Sequence, residues 1–211
     1  MKIAIITDQH LDGRKGSAAF WAFFKKFYDE IFFPTLEREG ITTVLDLGDT
    51  FDNRKSLDYN TLARIKTDYF DRLRKYDVHM ILGNHCTYYK NTNRINSPEL
   101  LLEEYDNITI YSEPTTLKFG SREFLMLPWI NSGNRELAEK AIEESDAGIA
   151  AGHLEIDGFE VMAGHRFNGG FKSADFKKFN RVWSGHFHHK SKHGNIQSLG
   201  NPYQMFWNDY K

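Results

Sequence analysis

The chain holds a single cysteine, Cys86, among 211 residues. It cannot close an internal disulfide, which excludes the stapled scaffold of small secreted domains and points to a reducing compartment. No apolar run approaches the roughly 20 residues needed to cross a bilayer. The chain opens on a strand-like run rather than on a charged segment followed by an apolar tract, so a cytoplasmic protein without leader or anchor is expected. The formal net charge is only −2, which by itself selects neither a nucleic-acid partner nor any other. Internal repeats, low-complexity tracts and linker-like stretches are also lacking. One domain spanning residues 1–211 is expected, long enough to bury a substantial core.

Charge is unevenly placed. Glu136–Glu160 carries eight acidic side chains against Lys140, whereas His165–Gly194 carries seven basic ones against Asp175. A basic surface beside a reactive centre can hold a polyanion through its phosphates. Lys172, Lys177 and Lys178 read more simply as the solvated face of a helix.

Residues 2–7 form a β-branched run that breaks at Asp8. A helix capped by Ser17 is expected next, with Phe20, Phe24, Phe27 and Ile31 as a core stripe, kinked or ended by Pro34 and closed by Gly40. A second strand over Thr42–Leu47, a helix from about Asp58 to Lys75 and a third strand over Val78–Leu82 follow. This alternation predicts parallel strands joined by crossovers, whose carboxyl ends gather ligands. Ile108–Tyr111, Thr116–Phe119 and Glu123–Leu127 read as a meander, followed by a helix over Arg135–Glu144. Ile149–Ala151, Glu160–Ala163, Arg181–Ser184 and Ile196–Leu199 complete the strand set.

Five short motifs each follow an apolar run: Asp8-Gln9-His10, Gly48-Asp49, Gly83-Asn84-His85, Gly152-His153 and Gly185-His186-Phe187-His188. They supply two Asp, one Asn and five His, the oxygen and nitrogen donors that manganese, iron or zinc prefer. Asp49 is placed to bridge two ions. Asp8, His10 and His188 would complete one shell, and Asn84, His153 and His186 the other. Two such ions clamp a phosphoryl group and generate hydroxide near neutral pH, which favours hydrolysis of a phosphate ester. His85 follows a ligand and points away from it, a placement for charge stabilisation or protonation of the leaving oxygen, with Asp52 to orient it. Arg54 and Lys55 are candidates for holding a phosphate. Tyr88, Tyr89, Lys90 and Arg94 interleave rings with cations, as strand-binding loops do. His79, His165, His189 and His193 lie outside the motifs and read as surface residues, with His189 the nearest to a ligand loop. Cys86 reads as a quiet thiol with no dyad to activate it.

These motifs, in this order from Lys2 to about Pro202, resemble the calcineurin-like metallophosphoesterase superfamily. Within it the chain resembles the SbcD-type nuclease subunits of double-strand-break repair, including those of T-even-like phages. That finer likeness rests on residues 48–55, on Gly83-Asn84-His85 with Tyr89-Lys90-Asn91, on Leu127-Pro128-Trp129 and on residues 183–188. It implies an α/β, four-layer αββα sandwich of two mixed sheets flanked by helices. It implies two divalent ions, manganese by analogy, held by Asp8, His10, Asp49, Asn84, His153, His186 and His188, with His85 as catalytic histidine. It implies cleavage of DNA as a 3′-to-5′ exonuclease and single-strand endonuclease, pairing with a coiled-coil ATPase of SbcC type, and homodimerisation through helices of the first half.

The chain departs from the pattern at three places. Cys86 stands where an acidic residue is usual, Asp12 interrupts the first loop, and the capping and ATPase-binding domains do not follow the last motif. Two alternatives stay open: the same centre acting on a small phosphodiester, nucleotide or phosphoprotein, and a non-catalytic scaffold subunit. The scaffold should have lost ligands, whereas all seven residue types are present.

Overall fold

Among the described residues, twelve short strands carry the architecture. They are β1 (Ile3–Ile6), β2 (Thr43–Asp46), β3 (Asp77–Ile81), β4 (Ile108–Tyr111), β5 (Thr115–Phe119), β6 (Arg122–Leu127), β7 (Ile149–Gly152), β8 (Glu160–Met162), β9 (His165–Arg166), β10 (Arg181–Ser184), β11 (Ser191–His193) and β12 (Ile196–Ser198). The structure, a computed structural model, describes residues 1–162, 164–205 and 209. Ala163, expected in a strand, lies outside the described residues.

The first sheet has the order β1-β2-β3-β4, and all its pairings are parallel. β4 therefore does not belong to a meander. Val78 pairs with Ile108 and Ile81 with Tyr111, so the strand extends the front sheet, and only β5 and β6 form the expected antiparallel pair. The second sheet, β11-β12-β10-β7-β6-β5, is mixed: its four central strands are parallel and its two edges antiparallel. β8 and β9 form a separate ribbon.

Strand alternation builds the layers. On β2, Val44 joins the core under the helices, with Trp21, Phe24, Tyr28, Phe32, Tyr69 and Phe70. Leu45 and Leu47 face the other way and meet Met126 and Ala151 of the second sheet. The far face of that sheet packs Leu125, Ala150 and Val182 against Ile142, Phe176 and Phe179. The result is the expected helix, sheet, sheet, helix order.

The first long helix differs from expectation in its buried face. Ala18–Phe27 runs through a π-type segment, Tyr28–Phe32, into Phe33–Glu39, so Pro34 starts a segment instead of ending the helix. Gly40 closes it at φ 61°. Trp21, Phe24, Tyr28 and Phe32 are buried, while Phe20 and Ile31 are 38% and 56% exposed. Rings stand at so many positions of this helix that several faces are apolar, and the wider π-type turn shifts the face that meets the sheet. The basic segment also differs: Lys172, Lys177 and Lys178 flank a single 3-10 turn, Ser173–Phe176, with no longer helix beneath them.

Candidate metal centre

Both sheets deliver their motifs at the same end. Asp8 follows β1, Asp49 follows β2, Asn84 follows β3, His153 follows β7, and His186 and His188 follow β10. The loops are zipped by their backbones: Asp8 N–H donates to Gly48 O, His10 N–H to Asp49 O and Leu11 N–H to Thr50 O, each at 2.9 Å. Asp8, His10, Asp49 and His186 all take positive φ, between 44° and 82°. Strain of this kind persists only where surrounding contacts enforce it, and it clusters at functional sites. Gly83 is required by proximity, because a Cβ there would lie 2.1 Å from Asp49 Oδ1.

Three donor groups result among the described residues, one of them His10, Asp52 and His85 and the other two made of the expected ligands. In the first of those two, Asp8, His10 and His188 bring donor atoms within 4.8 Å of one another, and the Nε2 atoms of His10 and His188 face each other at 3.3 Å. In the second, Asp49, His153 and His186 do the same. Asn84 Oδ1 joins the second, 2.9 Å from His153 Nε2 and 2.8 Å from His186 Nδ1. Asp49 Oδ2 lies between the clusters, 3.8 Å from His10 Nε2 and 3.3 Å from His153 Nε2. The seven sequence-predicted ligands are thus brought together, in the two groups expected.

The donor chemistry fits a cation. His153 Nδ1 lies 2.8 Å from Leu47 O, which can only accept, so Nδ1 carries the proton. Nε2 then faces the carbonyl oxygen of Asn84 at 2.9 Å, a contact that calls for positive charge at Nε2, supplied by a second ring proton or by a cation in its place. Second partners hold other ligands. Asp8 accepts from Thr7 Oγ1 at 2.7 Å and from the His186 N–H, and Glu155 lies 3.5 Å from His186 Nε2. Such partners orient metal ligands and fix their tautomers.

Electrostatics point the same way. Burial opposes charge on His153, but Asp49 and Asp8 outweigh it and raise its pKa to about 9. Burial likewise opposes charge on His10, and Asp52, Asp49 and Asp8 together hold it above the ordinary range. Burial works against ionised Asp49, yet the imidazoles of His153, His10 and His85 keep its carboxyl far below the usual value. His188 is lowered, by burial. The site as a whole favours positive charge within it.

His85 is held differently from expectation. Its Nδ1 donates to the backbone carbonyl of Asp52 at 2.7 Å, while the Asp52 carboxylate is 3.8 Å away. That carboxylate lies 3.0 Å from His10 Nδ1, off the axis a hydrogen bond requires. Asp52 orients His85 through its main chain and faces His10 with its side chain. Asp12 holds this loop, accepting from the N–H groups of Asp52 at 2.5 Å and Asn53 at 3.1 Å.

Arg54 and Lys55 line a cavity of about 200 Å³ with Phe51, Leu57, Tyr88 and Ile95, directly after the Asp49 loop. Arg54 Nη1 is buried without a hydrogen-bond partner, and Lys55 Nζ sits 5.6 Å from the Tyr88 ring centre. Tyr89 packs edge-on against Tyr88 at 4.8 Å, and Lys90 is exposed beyond it, so neither of these two lines the cavity. On the other side, the Trp129 ring lies 5.3 Å from His186. His189, the exception expected among the histidines outside the motifs because it stands beside a ligand loop, is 3% exposed. Sequence reasoning missed Thr7, Glu155 and, most clearly, the buried pair Gln9 and Asp46. A carboxylate inside the apolar run Thr43–Leu47 was the signal.

A two-sheet sandwich with oxygen and nitrogen donors at one rim defines a metal-binding phosphoesterase fold. The family model for calcineurin-like phosphoesterases matches residues 1–190, and the chain belongs to that family of hydrolases acting on phosphoester bonds. It is 34% identical over 172 residues to exonuclease subunit 1 of Enterobacteria phage T4, covering 80% of this chain and 50% of that protein. The chain thus spans about half the length of this relative. Among solved structures, a Pseudomonas putida nuclease aligns over 88% of this chain and 61% of its own, at 16% identity and TM-score 0.45. A further structure aligns over 94% and 90%, at 11% identity and TM-score 0.50, a likeness of fold alone. Among the described residues, no helix is long and apolar enough to cross a membrane.

Proposed function

We propose that this chain is the nuclease domain of a metal-dependent DNA phosphodiesterase that works with two divalent ions, Mn²⁺ the first to test. The observation that carries this reading is the position of Asp49 Oδ2 between two separate donor sets. Asp8, His10, His188 and Asp49 would hold one ion, and Asn84, His153, His186 and Asp49 the other. When bound, such ions lower the pKa of a water to near neutral and offset charge on the phosphoryl oxygens.

The chain's own groups do the rest. His85 keeps its proton on Nδ1 against Asp52 O, which leaves Nε2 to face the scissile phosphate. A proton held there passes to the leaving oxygen. Arg54 and Lys55 neutralise a neighbouring phosphate. The adjoining cavity accepts an unpaired base against Tyr88: an apolar cavity of about 150 Å³ already holds a benzene ring, and this one is about 200 Å³. The T4 relative's name as an exonuclease subunit supports DNA over small diesters, and also a partner subunit, for which an ATPase of SbcC type is the expectation.

The test is Mn²⁺-dependent cleavage of end-labelled single-stranded and duplex DNA, with bis-p-nitrophenyl phosphate alongside and Asp49→Ala as control. Cleavage of DNA that vanishes in the control is expected, together with loss of both ions. Turnover of the small diester with DNA left intact would assign the centre to a smaller substrate. Full metal binding by Asp49→Ala would overturn the bridging role.

A further inference from the structure

We propose that Asp46 is a positioning residue that sets the register of the two ligand loops on either side of it, acting through Gln9. Asp46 ends β2, is 1% exposed, and points into the aromatic core under the helices. No cation pairs with it among the described residues. A carboxylate buried this way is costly, and three hydrogen bonds offset part of that cost.

Asp46 Oδ2 accepts from Gln9 Nε2 and from Thr50 Oγ1, both at 2.8 Å, and Oδ1 accepts from Gly48 N–H at 3.0 Å. Gly48 and Thr50 flank Asp49, and Gln9 stands between Asp8 and His10. One carboxylate therefore grips both sides of the bridging ligand and the middle of the first ligand pair. Gln9 is fixed from its far side as well: Tyr28 Oη donates to Gln9 Oε1 at 2.8 Å, and Tyr203 Oη donates to the Gln9 carbonyl. The four-residue network spans 194 positions of chain and ends at a segment beyond the last metal motif. Because all three ligands on these loops hold positive φ, the loops need an outside restraint, and this network supplies it.

The proposal rests on the metal-centre reading, and the test separates the two. Mn²⁺ binding is measured by titration calorimetry on the wild type, on Asp46→Asn and on the double variant Gln9→Leu/Asp46→Leu. The melting midpoint of each metal-free protein is recorded beside it. Asn presents an amide hydrogen to donors that need an acceptor, and the double variant replaces the buried polar pair by an apolar one that keeps the core filled. The expected result is a loss of affinity of about 10–100-fold in both, beside a lower metal-free melting midpoint in the double variant, because Gly48 N–H, Thr50 Oγ1 and Tyr28 Oη lose their acceptors. A merely structural role would move melting and leave affinity alone. Wild-type affinity in the double variant overturns the proposal and leaves the metal centre standing. A wild type that takes up no cation overturns both.

Discussion

His85 and Cys86 are neighbours with opposite fates. His85 is partly exposed at the rim of the centre, with its Nδ1 committed to Asp52 O. Its replacement by alanine is expected to leave Mn²⁺ affinity unchanged and to lower kcat by about 10²–10⁴-fold, as loss of a general acid does. Near-normal turnover in that variant would remove it from the mechanism. Cys86 is wholly buried, and burial pushes its thiol up to about 12, with the nearby Asp49 adding to the shift. A thiol so placed is inert. Native protein is expected not to react with a disulfide reagent at neutral pH and to release one equivalent after denaturation. Fast labelling of the native protein would contradict the burial. In this position Cys86 acts as a small apolar filler behind Gly83-Asn84-His85.

At the scale of elements, the first helix makes the clearest test of what chooses a buried face. Phe24 is 1% exposed and stacks on Tyr203 at 4.2 Å, whereas Phe20 is 38% exposed. Phe24→Ala should destabilise the fold by about 3–5 kcal/mol, and Phe20→Ala by no more than about 0.5 kcal/mol, both by urea denaturation. Similar losses at the two sites would restore the stripe that simple periodicity suggests. The strands were easier to read. β2, β3, β7 and β10 fall within a residue or two of their expected bounds, because each has an apolar centre and leads directly into one of the motifs. β4 was read as a strand but placed in the wrong sheet, since a four-residue run carries no mark of its partner.

For the whole molecule, pH ties the buried network to stability. Burial pushes the Asp46 carboxyl up to about 7, against hydrogen bonds from Thr50, Gly48 and Gln9 that favour its ionised form. Asp12 is raised as well, again by burial. The folded chain thus binds protons that the unfolded chain has already released between about pH 4 and 7. Stability of the metal-free protein should fall as pH rises through that window, by up to about 1.4 kcal/mol per unit from Asp46. Asp46→Asn should flatten that component. A metal-free stability curve that rises with pH equally in both proteins would show that Asp46 is ionised throughout.

Residue types and their order determined most strand ends, the layered fold class and which donor residues stand at the strand ends, because each depends on hydrogen bonding and hydrophobic spacing within a few positions. Only the tertiary structure decided which aromatic face is buried, which sheet takes β4, that Asp52 meets His85 through its carbonyl, and that Asp46 and Gln9 lock the ligand loops. Those outcomes turn on groups 30 to 194 positions apart meeting through packing or hydrogen bonds, and no local pattern encodes that approach.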